Sequence, residues 1–355
     1  MVKKIAVVCG ALSIGGAENM ICELLCNLNR EKYEVKLFCT ENEQNTFLEK
    51  KIREHGIDIE FAGLSGKVTP RKMMSFYHRL KRFHPDVVHT HISGAVYSLP
   101  YVITHDVRHI HTLHTAPLAE FSPAIRKVLI LQYKIGKSTL VTVSKENCEL
   151  AKAEYHLTDR EVKCINNGID VDRYSHKEHE HFTFINVGRQ DVNKNQKLIV
   201  EAFKTVVDRY PESRLILVGD GNQHNRLIDL VVSESLQDKV TLPGMVANGE
   251  DYLSMADVYI QSSHREGLPL SVIEAMAAYL PVISTNVGGV PDVVHDNGFL
   301  VADDSVDEMV DAMEKLLLDS ALCEKMGSKS RTLSEQFSSK NMAQRYERLY
   351  FERKE

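Results

Sequence analysis

Long apolar runs are missing from this chain of 355 residues. No stretch approaches the roughly 18 consecutive apolar residues that a transmembrane helix needs. The N-terminal sequence MVKKIAVVCGA has too short an apolar core before Ser13 and Gly15 to be a signal peptide. Low-complexity segments and short repeats are absent as well. We therefore expect a globular protein that stays in the cytosol.

Paired cysteines are also missing. The seven cysteines are odd in number, include no Cys-x-x-Cys pair and lie on apolar segments: Cys9, Cys22, Cys26, Cys39, Cys148, Cys164 and Cys323. This usage is typical of free, mostly buried thiols in a reducing compartment and argues against a zinc site. A histidine-rich run with His176, His179 and His181 falls between the two halves of the chain. We expect it to be a solvated linker rather than a metal site.

Charge is unevenly divided along the chain, whose net charge is −6. Residues 1–170 carry 23 Lys and Arg against 19 Asp and Glu, whereas residues 171–355 carry 20 against 30. The first half is therefore mildly basic and the second acidic, which bears on association rather than on fold. We expect no nucleic-acid partner.

The chain is long enough for two domains, and short apolar strands alternate with helices throughout, which predicts parallel sheets flanked by helices. Strands are predicted at residues 4–9, 34–39, 58–61, 86–89, 108–113, 139–143, 163–165, 183–187, 214–218, 240–242, 258–261, 281–284 and 298–300. The domain boundary is predicted at residues 166–170, because Asn-Asn-Gly is strong turn chemistry. The predicted domains are therefore residues 1–170 and 171–337. After residue 304 the pattern is helical, with segments at 306–318, 323–328 and about 341–352.

The most informative segment is residues 256–292. An apolar strand leads into a loop with Glu266, and a helix predicted to start at Pro269 and Leu270 carries Glu274 in its early turns. A second strand then ends in a Gly-Gly turn at residues 288–289. Both strands end at the edge where open α/β sheets bind ligands. A helix N-terminus suits a phosphate and a carboxylate suits sugar hydroxyls, so this segment predicts a nucleotide-sugar site.

This segment closely resembles the signature of the family 4, or group 1, retaining glycosyltransferases. The family motif is a glutamate, seven residues, a second glutamate, an apolar strand and a Gly-Gly turn, which match Glu266, Glu274, Gly288 and Gly289. The resemblance extends over essentially the whole chain. It implies a GT-B architecture, in which two Rossmann-like, doubly wound parallel-sheet domains face each other across a cleft. It also implies that a C-terminal helix of about residues 338–355 packs back on the N-terminal domain.

The resemblance also implies roles for the two glutamates. Glu266 would orient the donor sugar and Glu274 would hold the ribose. The loop and helix start after Glu266 would place backbone groups near the phosphates, at Gly267, Leu268, Pro269 and Leu270. The family commonly has Phe-Gly where this chain has Leu268-Pro269, a small departure because the backbone rather than the side chain faces the phosphates.

Further donor-binding residues follow from other family motifs. The Gly-Gly-Ala-Glu loop after the first strand matches at Gly15 and Gly16. Arg189 and Lys194 match a Gly-Arg-x4-Lys motif that begins at Gly188, and an arginine fork with a lysine at a helix start can neutralise a diphosphate without metal. Two further matches are Gly219, in a Val-Gly-Asp-Gly turn on the nucleotide side, and Met245, in the segment whose backbone pairs with the base.

A histidine near the reacting sugar is also implied. Family members carry one in the loop after the fifth strand, and His114 is the best positional match, with His111 as the rival. The proposed catalytic residues are therefore His114, Arg189, Lys194 and Glu266. Asp-x-Asp occurs only at residues 170–172, in the hinge, so no metal is expected, and no cofactor is expected either.

Residues 70–85 predict an amphipathic helix with a basic face. Such a helix can lie on anionic lipid or can simply cover a sheet, and the second interpretation is the more ordinary one.

Together these features predict transfer of a hexosyl or N-acetylhexosaminyl group from a nucleoside diphosphate sugar, with a UDP sugar expected, to a glycan or lipid-linked saccharide. The protein would act in the cytoplasm, with peripheral contact at an anionic membrane left open. A nucleotide-sugar epimerase and a catalytically idle partner subunit are the alternatives.

Overall fold

The computed structural model describes residues 2–13, 15–246 and 248–351. The chain divides into two compact units. Unit 1 holds the described residues up to Gly168 together with those from Ser339 onward, and unit 2 spans Ile169–Ser338. No helix in the described part of the chain is long and apolar enough to span a membrane.

Unit 1 is a seven-stranded parallel sheet with the strand order β3-β2-β1-β4-β5-β6-β7. The strands are β1 Lys3–Cys9, β2 Tyr33–Cys39, β3 Asp58–Phe61, β4 Val87–His91, β5 Arg108–Leu113, β6 Ser138–Thr142 and β7 Val162–Cys164. The helices are α1 Gly16–Asn27, α2 Phe47–Glu54, α3 Pro70–Phe83, α4 Gly94–Thr104, α5 Pro123–Lys134, α6 Lys145–Tyr155 and, from the end of the chain, α13 Ser339–Phe351.

Unit 2 repeats this design as a six-stranded parallel sheet, in the order β10-β9-β8-β11-β12-β13. The strands are β8 Thr183–Val187, β9 Arg214–Val218, β10 Val240–Gly244, β11 Val258–Gln261, β12 Val282–Thr285 and β13 Gly298–Val301. The helices are α7 Gln196–Arg209, α8 His224–Ser233, α9 Gly249–Leu253, α10 Leu270–Ala277, α11 Val306–Leu318 and α12 Ser320–Ser334.

Each sheet has one point where the chain reverses its direction of strand addition. In unit 1 this point lies between β1 and β4, and in unit 2 it lies between β8 and β11. Loops that leave the carboxyl ends of such neighbouring strands part to opposite faces and leave a crevice in which α/β proteins bind ligands. We therefore expect ligand sites at the carboxyl ends of these four strands.

All 13 predicted strands are present, but several ends shift by one or two residues. The strand predicted at 281–284 is Val282–Thr285, and the one predicted at 86–89 is Val87–His91. The reason is pairing: β12 aligns with β13 through Thr285 and Val301, so ladder bonds rather than local propensity fix the end. The helix expected to start at Pro269 begins at Leu270, with Pro269 directly before it.

Helix α3 covers the sheet of unit 1. Phe76 and Leu80 are fully buried, and the rest of its apolar stripe packs around Phe38 and Tyr97. Of the basic residues on its other face, Arg79 is paired with Glu60. The helix therefore covers the sheet, and contact of its basic face with lipid stays a prediction.

Candidate active site

The centre of the unit 2 site is an ion pair between Lys194 and Glu266. Lys194 follows β8 and Glu266 follows β11, the two strands at the reversal point. The Lys194 Nζ lies 2.5 Å from the Glu266 Oε1, and both side chains are largely buried. Two residues that are 72 positions apart in sequence thus meet at the sheet edge where a ligand is expected.

Polar contacts hold the loops of this ion pair together. The His264 backbone N–H donates to the Asn193 carbonyl at 2.8 Å, and the Asn193 side-chain amide donates to the Arg265 carbonyl at 3.0 Å. The Ser262 hydroxyl oxygen lies 2.9 Å from the Lys194 carbonyl. These bonds fix the relative position of Lys194 and Glu266 independently of their own salt bridge.

Arg189 presents its guanidinium to solvent beside this pair. Its Nε lies 2.6 Å from the Asp191 Oδ2, while the side chain as a whole remains 78% exposed. Partial burial raises the pKa of Asp191, but hydrogen bonds from Arg189 and from the Lys194 backbone N–H outweigh it and lower the pKa. An ionised Asp191 therefore orients Arg189 from behind and leaves most of the guanidinium accessible to an anion.

Glycine is required at the turns that support these loops. Gly288 has φ 52°, and a Cβ there would lie 1.8 Å from the Glu266 carbonyl oxygen. Gly289 donates its N–H to the same carbonyl at 3.2 Å. The Gly-Gly turn after β12 thus packs directly against the Glu266 loop, which any side chain would displace.

A pocket of about 610 Å³ opens at the carboxyl ends of β8, β9 and β10. Its lining includes Gly188 and Arg189 on one side, Gly219 on the next turn, and Met245, which is 82% exposed. Gly219 has φ 130°, and a Cβ there would lie 2.0 Å from the Gly188 carbonyl oxygen, so the two turns can touch only without a side chain. The mostly apolar walls and open mouth suit a flat base.

Glu274 lies in α10 and is partly buried. Burial raises the pKa of this carboxyl to about 7, even though the Tyr174 hydroxyl donates a hydrogen bond to it and the positive charge of Arg173 is near. The position within α10 agrees with the sequence prediction, but the Tyr174 partner was not foreseen. The N-terminal turn of α10 starts at Leu270, after Gly267, Leu268 and Pro269, and its first N–H groups have no acceptor within the helix.

In unit 1, His114 lies directly after β5 and His91 ends β4. Their Nε2 and Nδ1 atoms are 2.9 Å apart. Burial lowers the pKa of His114 to about 4, a negative charge on Glu120 opposes this shift, and His111 adds to it. His114 is therefore a neutral imidazole at pH 7, able to donate or accept one hydrogen bond at each nitrogen.

His111, the rival candidate, is fully buried. Its Nδ1 contacts the Thr90 hydroxyl at 3.1 Å, and its Nε2 lies 3.3 Å from the Glu120 Oε1. His114 keeps partial exposure, and of the two it is the better placed to meet a ligand. Glu120 also accepts the His114 backbone N–H at 3.2 Å.

The Gly15-Gly16 loop precedes α1, next to the reversal point of the unit 1 sheet. Gly16 opens α1 and has open space where a side chain would be. A Cβ at Gly15 would approach the Glu18 carboxylate at 2.5 Å, which a flexible side chain can relieve. Open backbone at a helix start suits an anion.

Most of the histidine-rich linker is exposed, as expected of a solvated segment, and His179 and His181 are the exceptions. His179 is partly buried, and its Nε2 lies 2.8 Å from the Asp257 Oδ2. Potential ligand atoms of His176, His179 and Asp257 lie within 4.8 Å of one another, and so do those of His264, Asp303 and Asp304. In both groups a histidine already pairs with a carboxylate.

Family models match both units. The family described as glycosyl transferases group 1 matches residues 170–333, and glycosyltransferase family 4 matches residues 14–173. The chain belongs to the group 1 glycosyltransferases. With two parallel α/β units of seven and six strands, this glycosyltransferase has the GT-B architecture.

Curated relatives of this glycosyltransferase have several different activities. An uncharacterized glycosyltransferase of Methanocaldococcus jannaschii is 29% identical over 58% of this chain, and the match spans 57% of that protein. A UDP-Gal:alpha-D-GlcNAc-diphosphoundecaprenol alpha-1,3-galactosyltransferase of Escherichia coli is 26% identical over 84% of this chain and 83% of its own length. An N-acetyl-alpha-D-glucosaminyl L-malate synthase of Bacillus anthracis is 26% identical over 77% and 76%.

Solved structures share the fold of this glycosyltransferase. A glycosyltransferase from Rickettsia africae superimposes with a TM-score of 0.82 at 18% identity, covering 98% of both chains. HepE from Anabaena, solved in complex with UDP, gives a TM-score of 0.77 at 18% identity and covers 97% of this chain and 98% of its own.

Several supporting residues of this glycosyltransferase were missed from sequence. Glu120, Asp191 and Tyr174 each contact a predicted site residue, but none of them is a matching position of the family motifs. Of the three, Asp191 was the easiest to predict, because it lies two residues after Arg189 and an acid that close to an arginine can orient it. The partnerships of Tyr174 with Glu274 and of Glu120 with His111 depend on tertiary contacts.

Proposed function

We propose that this glycosyltransferase moves a hexosyl or N-acetylhexosaminyl group from a UDP sugar to a hydroxyl of a glycan or lipid-linked saccharide, with retention of anomeric configuration. Such a reaction belongs to the assembly of bacterial surface polysaccharides or glycolipids. Unit 2 takes the nucleotide of the donor, and unit 1 takes the acceptor.

The Lys194–Glu266 ion pair carries this proposal. A lysine at a helix start and an exposed arginine beside it supply two positive charges where a diphosphate would leave. When the donor binds, Lys194 turns from Glu266 to the phosphate, and Glu266 then binds the donor sugar instead. The neighbouring pocket, with its apolar walls, has room for the base.

In the proposed reaction the bond between the sugar C1 and the diphosphate oxygen breaks, and the nucleoside diphosphate leaves with that electron pair. The acceptor oxygen forms its bond to C1 on the same face, and its proton passes to the departing phosphate. Arg189, Lys194 and the α10 N-terminus stabilise the developing charge, which is usually the largest catalytic contribution. Glu266 and neutral His114 orient sugar hydroxyls, and Glu274 receives the ribose.

A UDP donor is supported by two relatives. The Escherichia coli relative is named for a UDP-galactose donor, and HepE was solved with UDP. The acceptors of the relatives differ, since one name specifies a diphosphoundecaprenol-linked sugar and another specifies malate. We favour the lipid-linked saccharide, which would place the protein at the cytoplasmic face of a membrane as a peripheral partner.

The experiment is incubation of the purified protein with UDP-glucose, UDP-galactose, UDP-GlcNAc and their GDP counterparts, with and without saccharide acceptors. Acceptor-dependent release of UDP supports the proposal. Conversion of a UDP sugar to a free epimer without acceptor would instead support an epimerase, and no turnover with any pair would support an idle subunit. Proton NMR of the product tests retention through the anomeric coupling constant.

Metal-independent transfer is part of the same proposal. Treatment with EDTA should leave the rate of transfer unchanged, because Arg189 and Lys194 supply the positive charge that a metal would otherwise bring. The group of His264, Asp303 and Asp304 makes this test informative, since Asn195, next to Lys194, donates to Asp304 at 2.8 Å. A loss of activity that Mg²⁺ or Mn²⁺ restores would refute metal independence.

A further inference from the structure

Helix α5 exposes apolar side chains on the face that points away from the protein. Val128 and Leu131 of α5 and Ile135, directly after it, recur at helical spacing with exposed fractions of 41%, 56% and 57%. The opposite face is also apolar, and there Leu129 and Tyr133 are buried in the unit 1 core. A surface helix normally has one apolar stripe, so a second one indicates a surface that something else covers.

The residues around this outer face are basic. Residues 121–145 contain no aspartate or glutamate and five cations: Arg126, Lys127, Lys134, Lys137 and Lys145. Lys127 and Lys134 lie on the same stripe as Leu131, at spacings of four and three residues, and both are exposed. An apolar stripe flanked by lysines is the pattern of a helix that lies in a membrane interface.

The loop that leads into α5 adds to this face. Leu118 is 52% exposed, and its carbonyl accepts a hydrogen bond from Arg126 of α5 at 3.4 Å. On the inner side, the Tyr155 hydroxyl contacts the Pro117 carbonyl, and Glu120 contacts His111. The loop is therefore held on its inner side while Leu118 points outward.

We propose that this α5 face, formed by Leu118, Val128, Leu131 and Ile135 with Lys127, Lys134 and Lys137, docks on an anionic phospholipid surface. The apolar side chains enter the interface and the lysines meet the lipid phosphates. A second copy of the chain is a poorer occupant, because a two-fold interface would bring the same lysines against each other. The proposed function assigns the acceptor to unit 1, and His114 lies nine residues before α5. A role of this face in presenting a lipid-linked acceptor therefore rests on the proposed function.

Helix α3 is the matched comparison. It too is basic on its outer side, but Met74 is the large apolar side chain that this helix exposes strongly. If charge alone drove membrane contact, the two helices would be equivalent. If exposed apolar surface is also needed, α5 should dominate.

The experiment measures sedimentation of the full chain with vesicles of phosphatidylcholine alone or mixed with phosphatidylglycerol, without donor or acceptor. We expect binding to the anionic vesicles that weakens as salt rises. The L131Q/I135Q variant should lower the partition coefficient at least about tenfold, and K127E/K134E/K137E about a hundredfold or more. The controls are L150Q, an exposed leucine on α6, and R71E/K81E/R82E on α3, which should change binding by less than about threefold.

Each variant is also assayed for thermal stability and for transfer to a short soluble acceptor without vesicles. Unchanged values in both assays show that the α5 variants are folded, so that loss of vesicle binding reports on the surface itself. Failure of soluble transfer in the wild type would count against the proposed function and not against the lipid surface.

Three results would overturn the proposal. The first is that the protein binds neutral and anionic vesicles equally or binds neither. The second is that binding is lost in the α3 variant but not in the α5 variants. The third is a concentration-dependent dimer that the α5 variants dissociate, which would assign this face to a second copy.

Discussion

Lys194 carries the charge that the proposed reaction needs most. Lys194→Ala should lower the rate of transfer by about 100- to 1,000-fold, because one preorganised group that stabilises transition-state charge is typically worth that much. The fold should be retained, since the loop keeps its bonds through Asn193 and Ser262. Steady-state kinetics with the active UDP sugar checks this.

The control is Lys197→Ala, three residues further on, where the lysine is exposed and pairs with Glu201. It should leave transfer within about twofold of the wild type, as surface ion pairs are worth little. Near-normal turnover in Lys194→Ala would remove Lys194 from the diphosphate.

Glu274 should make the stability of the protein depend on pH. The pKa of Glu274 in the folded protein is about 7, above the ordinary value of 4.5, because the folded state favours the protonated carboxyl. The resulting stabilisation of the folded state is complete below pH about 4.5 and is lost as the pH rises through about 7. Between pH 5 and pH 8 the wild type should lose about 1–3 kcal/mol of unfolding free energy relative to Glu274→Gln. Urea unfolding at the two pH values measures the difference.

The exposed Glu178 supplies the matched variant, because Glu178→Gln should follow the wild type at both pH values. A pH response of Glu274→Gln equal to that of the wild type would contradict the raised pKa of Glu274.

Among the structural elements, the Gly-Gly turn after β12 is the most sensitive support of the site. Gly288→Ala should destabilise the protein by more than about 2 kcal/mol or displace the Glu266 loop, because the new Cβ meets the Glu266 carbonyl and the backbone has positive φ. Either response should weaken UDP binding. Thermal unfolding and calorimetric titration with UDP measure both.

Gly249→Ala is the corresponding control for thermal stability alone, because a Cβ at this first residue of α9 meets nothing within 4 Å but Gly249 also lines the pocket proposed for the base. It should be neutral or slightly stabilising, as alanine is the better helix former. Equal behaviour of the two variants would contradict the role given to the turn.

Strands were predictable from sequence where both of their faces are buried, because such a strand is one continuous apolar run. Residues 183–187, 214–218 and 258–261 match the observed strands at both ends for this reason. The orientation of helix α5 was not predictable, because both of its faces are apolar and the sequence does not tell which one packs in the core. The hydrogen bond between His91 and His114 likewise depends on the register of β4 with β5 and on how the two rings are turned, which the sequence does not reveal.

At the scale of the whole molecule, we propose that unit 2 binds the donor nucleotide. The Arg189, Lys194 and Glu266 side chains and the base-sized pocket all belong to that unit, whereas His114 and the α5 face belong to unit 1. This division of labour was predicted from motif positions alone. It remains a proposal that a single binding experiment can decide.

That experiment is hydrogen–deuterium exchange of the full chain with and without saturating UDP. We expect new protection at residues 187–195, at 218–221 and at 262–274, with smaller changes in unit 1. Protection confined to residues 2–168 would contradict it, because the nucleotide would then lie on the unit that we assign to the acceptor.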